Sequence, residues 1–141
     1  MSEPNESYAY FTVTGDDLDP AQITKIVGVT PTDSWKKGEL NPRNSRERKF
    51  GRWSLYSRLP RSEEFEEHIA DVLAQLDQNP EGFKQVSEAY DGCMQLVGYF
   101  HSYYPGLYFT PATVQGLAKY KLGVDHDFYY LHSDAREDAD V

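Results

Sequence analysis

The stretch Tyr8–Gly28 constrains the fold more than any other part of the chain, because it reads as strand, turn and helix without a break: YAYFTVTG, DDLDP, AQITKIVG. Side chains alternate across a pleated strand, so Ala9, Phe11 and Val13 share one face while Tyr8, Tyr10, Thr12 and Thr14 share the other. The first face suits a core. Gly15 and the aspartates end the strand, and Asp19 can accept a hydrogen bond from a free N–H of the next helix. Pro20 has the fixed φ that a first helical position favours, Ile23, Ile26 and Val27 recur at helical spacing, and Gly28 stops the helix.

The same logic runs through the rest of the chain. Val29–Leu40, with Pro31, Gly38 and Trp35, reads as a loop or broken edge segment pinned by the indole. Asn41–Lys49 has no apolar residue except proline and reads as a mobile, polar, basic loop. In Phe50–Arg58, Trp53 and Leu55 face one way and Arg52, Ser54, Tyr56 and Arg58 the other, which predicts a strand with a wet, basic face. Ser62 opens a helix with the apolar stripe Phe65, Ile69, Val72, Leu73 and Leu76, and Glu63, Glu64, Glu66, Glu67 and Asp71 crowd its other side and first turns. Asn79 and Pro80 start a third helix through Phe83, Val86 and Tyr90, which Gly92 ends.

Cys93–Ser102 returns to alternation, with Met94, Leu96 and Phe100 opposite Gln95, Val97, Tyr99 and His101. A turn at Tyr104–Gly106 leads to a short strand, Leu107–Phe109. Thr110 and Pro111 begin a last helix with the apolar side Val114, Leu117, Ala118 and Leu122, and Val124–Leu131 is the final strand. The order β, α, β, α, α, β, β, α, β predicts an α+β fold: a mainly antiparallel sheet of about five strands with the helices packed on one face. Residues 1–7 read as a flexible leader, 8–131 as a single domain and 132–141 as an acidic, disordered tail.

Composition narrows the function. A chain of 141 residues can bury one real hydrophobic core, and 11 tyrosines favour a sheet face that is half packed and half wet. The single cysteine, Cys93, excludes an intramolecular disulfide and a cysteine zinc cage. The chain opens without a charged, apolar, cleavable leader and has no apolar run near the roughly 20 residues of a membrane helix, so the expectation is a cytoplasmic protein with no membrane contact. The net charge is -9, yet Ser34–Arg61 carries nine Lys or Arg against two acids, a local excess of +7 that leaves -16 on the remainder. A basic island in an acidic chain is the strongest functional signal in the sequence.

The run YFTVTGDDLDPAQITKIVGVTP, the segment Trp35-Lys36-Lys37-Gly38-Glu39, the triplet Trp53-Ser54-Leu55 and the late LGVDHDFYYL together resemble the bacterial family known as domain of unknown function 4279. The resemblance covers about Tyr8 to Leu131. It implies a small, soluble, bacterial α+β domain and supplies no catalytic residue. It says nothing about Asn41–Lys49 or the acidic tail.

Asp16, Asp17 and Asp19 suit a turn with a helix cap, since a calcium loop needs a glycine at its sixth position and a ligand at its twelfth. Asp125 and Asp127 share a strand face while His126 takes the other, so a small hydrolase or metal enzyme around His101 and His126 requires the fold to bring those two together. Cys93 has no neighbouring base, and there is no glycine-rich phosphate loop, nucleophile elbow or HExxH. These absences favour a protein without catalytic residues, metal or cofactor.

The first reading is therefore a non-catalytic, bacterial protein-binding module, an immunity-type or regulatory partner. It works through the Tyr-rich face, with Glu64, Glu67 and Asp71 steering a basic target. The alternative is an anion or nucleic-acid binder built on residues 34–61, with Trp35, Lys36, Arg46, Arg48, Arg52, Tyr56 and Arg58 around a phosphate, or gripping the carboxylates of an acidic partner. A third reading has the island neutralise the chain's own acidic surface, or that of a second copy in a homodimer.

Overall fold

Alternation along the strands decides which side of the sheet the helices cover. The computed structural model describes residues 3–131, so the expected tail at 132–141 lies outside the described residues. The elements are β1 (Glu6–Gly15), α1 (Pro20–Val27), β2 (Asp33–Trp35), β3 (Gly51–Tyr56), α2 (Phe65–Leu76), α3 (Pro80–Tyr90), β4 (Cys93–Phe100), α4 (Pro111–Lys119) and β5 (Gly123–Tyr130). They form an α+β fold with one sheet in the order β2-β3-β1-β4-β5. Every pairing is antiparallel except β4 with β5, which run parallel and are joined through α4. Among the described residues, no helix is long and apolar enough to cross a membrane.

Ala9, Phe11, Val13, Trp53, Leu55, Met94, Leu96 and Phe100 occupy the covered face and are buried, as the alternation predicts. At their centre Phe11, Trp53 and Phe83 meet with ring centroids 5.5–6.1 Å apart, the two phenylalanines edge to face. Gly98 belongs to the same face, where a Cβ would stand 2.5 Å from the Phe100 ring and 3.1 Å from that of Phe65. Its missing side chain is the space those rings fill. Helix caps follow the sequence closely: Asp19, Asn79 and Thr110 each accept a hydrogen bond from a first-turn N–H, each ahead of a proline, and Gly28 closes α1 with φ 70°. Asn79 also donates to the Ile26 and Val27 carbonyls, tying the start of α3 to the end of α1.

Five local expectations change. Leu107–Phe109 is not a strand; β5 pairs parallel to β4, so the chain must cross over instead of turning back in a hairpin, and the 101–110 segment runs along the surface. Asp33–Trp35 is the fifth strand, because the free edge of β3 supplies a ladder for it. The Asn41–Lys49 loop is a hydrogen-bonded arm: Gly38 N–H donates to Arg48 O, Arg48 N–H to Glu39 O, and the Asn41 and Asn44 side chains accept from Arg43 and Arg46 N–H groups. Glu6 and Ser7 belong to β1, and the Asn5 side chain accepts from His101 and Ser102 N–H while donating to Tyr103 O, which ties down the expected leader.

The last change concerns the helices. α2 begins at Phe65 because Pro60–Glu63 is spent on a turn, and α4 buries Thr113 and Leu117, with Tyr120 buried just past its end, while Val114 and Ala118 stay exposed. α4 packs on α2 through a narrow seam where Gly116 lies against Leu73, and that seam selects a stripe one position away from the most apolar one.

Because Phe83 is fully buried between Phe11 and Trp53, Phe83→Ala is expected to lower the unfolding free energy by about 3–5 kcal/mol in urea titration. A loss under about 1 kcal/mol would contradict this packing.

Candidate binding face

With all four helices on one side, the opposite face of the sheet is left uncovered, and the even-numbered residues of β1 and β3 populate it. Tyr10 stands opposite Tyr56 on one side and Gln95 on the other. The Tyr10 and Tyr56 rings stack 4.3 Å apart at 14°, and Tyr8 joins them at 5.8 Å from Tyr56 and 6.3 Å from Tyr10. Further across, Tyr99 stacks on Tyr129 at 5.1 Å. Arginines lie between these rings: Arg61 sits 4.4 Å above Tyr8, Arg52 5.0 Å from Tyr10 and 5.4 Å from Trp35, and Arg48 3.6 Å above Trp35. A strip of alternating rings and guanidinium groups thus runs from β2 to β5. Each such contact contributes about 0.5–1 kcal/mol at exposed positions and, more usefully here, fixes the orientation of both partners.

Polar side chains brace the strip. Ser54 Oγ takes the Arg52 Nε–H at 2.9 Å and lies 2.9 Å from Thr12 Oγ1, and Gln95 donates to Asp127 at 3.2 Å. Burial pushes the Tyr56 phenol up, with Asp33 adding to the effect, and burial likewise raises Tyr8 and Tyr10. The three phenols therefore stay protonated at neutral pH and remain hydrogen-bond donors.

The basic island does not form a single patch. Arg58 is bound to Asp71 through its backbone N–H at 2.8 Å and its Nη2 at 2.7 Å, and Gln75 donates to the same carboxylate. Burial alone would push Asp71 up, but these donors outweigh it and hold the carboxyl below its usual range. Arg58 is thus committed to an internal partner, and Asp71 is not a free steering charge. Lys36 approaches Asp19 at 3.8 Å, Arg61 approaches Glu6 at 3.1 Å, and Arg46 is exposed on the arm. Glu64 and Glu67 are exposed on α2, which packs on the covered side of the sheet. Glu64, the N-cap of α2, shares a cavity wall with Arg61, whose guanidinium covers Tyr8.

His101 and His126 are not brought together. His126 is in register with Leu96 and Tyr130 with Phe100, so His101 lies five residues further along, about 16 Å away at roughly 3.3 Å per residue. His126 packs on Phe128 instead, at 4.4 Å. Among the described residues, no group of three or more His, Cys, Asp or Glu side chains could hold a metal ion. Cys93 is half-buried on the uncovered face, where burial and then Asp125 push its thiol up, away from the reactive thiolate.

Two features escaped the sequence reading. A cavity of about 700 Å³ lies between the first turn of α2 and the 102–109 segment, walled by Phe65, Leu107, Tyr108 and Phe109 with Arg61, Glu63 and Glu64 at its polar side. His68 is fully buried, with Nδ1 2.6 Å from Ser57 Oγ and the Glu63 and Ser7 backbone near the ring. A signal for His68 existed, since positions 65, 68, 69 and 72 fall on one helical face. Burial is the main cause that lowers its pKa below 6.5, so the folded protein holds it neutral. An unfolded chain takes up that proton first. The contribution of His68 to stability is thus complete above the unfolded value of about 6.5 and is lost as pH falls from there through the lower folded value. Urea titrations between pH 7.5 and about 5 should show falling stability, and His68→Phe should flatten that slope; an equal slope in the variant would contradict it.

Searches of the curated proteins and of the solved structures returned no match. A family model matches residues 5–131, nearly the whole chain and all nine elements of the fold. The chain belongs to the family described as domain of unknown function (DUF4279).

Proposed function

We propose that this protein is a non-catalytic binding module of the bacterial cytoplasm whose contact surface for a protein partner is the uncovered face of the sheet. The observation that carries this reading is the stack of Tyr8, Tyr10 and Tyr56 with arginines held against the rings. Tyr, Trp and Arg are the side chains that dominate the energetics of protein interfaces, because each joins a large contact area to a polar tip. Here they are already immobilised by one another, so little side-chain freedom remains to be lost on association. A regulatory or immunity-type partner is the specific form that suits a small acidic domain of this kind. The exposed Glu64 and Glu67, at the N-cap and in the first turn of α2, act as long-range steering charges and not as contacts.

Affinity capture from a lysate of the source bacterium, followed by mass spectrometry, tests the reading. The wild-type chain should retain at least one protein that the Tyr8→Ala/Tyr56→Ala variant loses, with the variant's thermal unfolding still cooperative. A Glu64→Lys/Glu67→Lys variant should retain the same protein. Loss in the glutamate variant alone would move the contact to α2 and overturn the assignment of the tyrosine face.

A further inference from the structure

Of the cations held against the rings of the uncovered face and its margins, Arg48 and Arg52 stand out because aromatic and hydroxyl contacts fix them without an ion pair. Lys36 faces Asp19, Arg58 is clamped to Asp71, and Arg61 reaches Glu6. Among the described residues, no carboxylate lies within ion-pair distance of Arg48 or Arg52. Both are nonetheless fixed in place. Trp35 lies between them, 3.6 Å from the Arg48 guanidinium and 5.4 Å from that of Arg52; Ser54 holds Arg52 Nε, and Arg48 Nε is sealed from water. Arg52 also shares a hydrogen bond with the Tyr10 hydroxyl, and the remaining terminal nitrogens are what each guanidinium has left to offer. A planar group oriented by an aromatic ring and short of an acceptor is suited to the paired oxygens of a carboxylate or phosphate.

We infer that the Trp35 corner of the sheet, with Arg48 and Arg52 as its two donors, is a recognition site for the carboxylates of an acidic polypeptide segment that continues across the half-exposed Tyr56 and Tyr8. The inference rests on the protein-binding reading and names the chemistry of the partner. Two features favour a protein segment over a nucleic acid. A phosphate backbone brings a charge with every nucleotide and needs a cationic track, whereas across the sheet Arg48 and Arg52 give way to Asp33 near Tyr56, Asp127 near Tyr10, and Asp125 beyond. The net charge of -9 opposes a polyanion at long range but not a segment that brings one or two carboxylates. The tyrosines beside the arginines provide area for apolar side chains between the acids.

The test is a titration of the ¹⁵N-labelled chain, observing the Arg Nε–H and Trp indole signals. The probe is a blocked peptide of alternating glutamate and phenylalanine, with the glutamine–phenylalanine peptide and oligothymidylate as parallel arms. The glutamate peptide should shift the Arg48, Arg52 and Trp35 signals saturably and bind at least about tenfold more tightly than the glutamine peptide. Arg48→Gln/Arg52→Gln should lose about that factor, and Arg46→Gln, on the exposed arm, should keep affinity within about twofold. Equal binding of both peptides, no binding of either, or tighter binding of oligothymidylate at the same signals would each overturn the inference. If the inference fails in this way while partner capture still depends on Tyr8 and Tyr56, the protein-binding reading stands on its own. If capture is also indifferent to the tyrosines, both fall.

Discussion

The antiparallel pairing of β1 with β3 and β4 is the constraint from which the rest of the molecule follows. Because opposed residues in a ladder point the same way, the alternation written into β1 is copied onto its neighbours: Phe11 aligns with Leu55 and Met94, and Tyr10 aligns with Tyr56 and Gln95. A slip of one residue would drive the tyrosines under the helices and the phenylalanine into water. The register therefore sets both the core and the candidate binding surface at once, and the two cannot be altered independently.

One-sided cover has consequences at the sheet margins. β2 is only three residues long, and β5, at the opposite edge, carries Asp125 and Asp127. Short or charged edges discourage a sheet from extending itself with another chain. The broad face is left as the place where aromatic area and oriented cations coincide. That face holds its rings and guanidinium groups in contact with one another, so it is arranged before any partner arrives.

Much of this was legible in the sequence, for identifiable reasons. Period-two patterning placed Ala9, Phe11, Val13, Trp53 and Leu55 inside and Tyr8, Arg52 and Tyr56 on the wetter face, where Tyr10 is nonetheless buried under its neighbours, and the cap-and-proline pairs at Asp19, Asn79 and Thr110 marked three helix starts. What failed depended on contacts distant in sequence. Asp33–Trp35 becomes a strand only because β3 offers an edge, Leu107–Phe109 fails to become one because β5 joins in parallel, and Val114 stays exposed because α4 meets α2 through Gly116. Charge counting found the basic island but could not show that Arg58 is spent on Asp71 while Arg48 and Arg52 converge on Trp35. Side-chain pairing of that kind is a property of the fold and has no periodic trace in the chain.

Hydroxyl-radical footprinting of the protein alone and with its captured partner tests the division of labour between the two faces most directly. In the free protein, oxidation is expected at Trp35, Tyr8 and Tyr56 and not at Trp53, Phe11 or Phe83; on addition of the partner, protection should appear at the first three. Protection confined to α2 or to the Asn41–Lys49 arm, with Tyr8 and Tyr56 unchanged, would contradict the account.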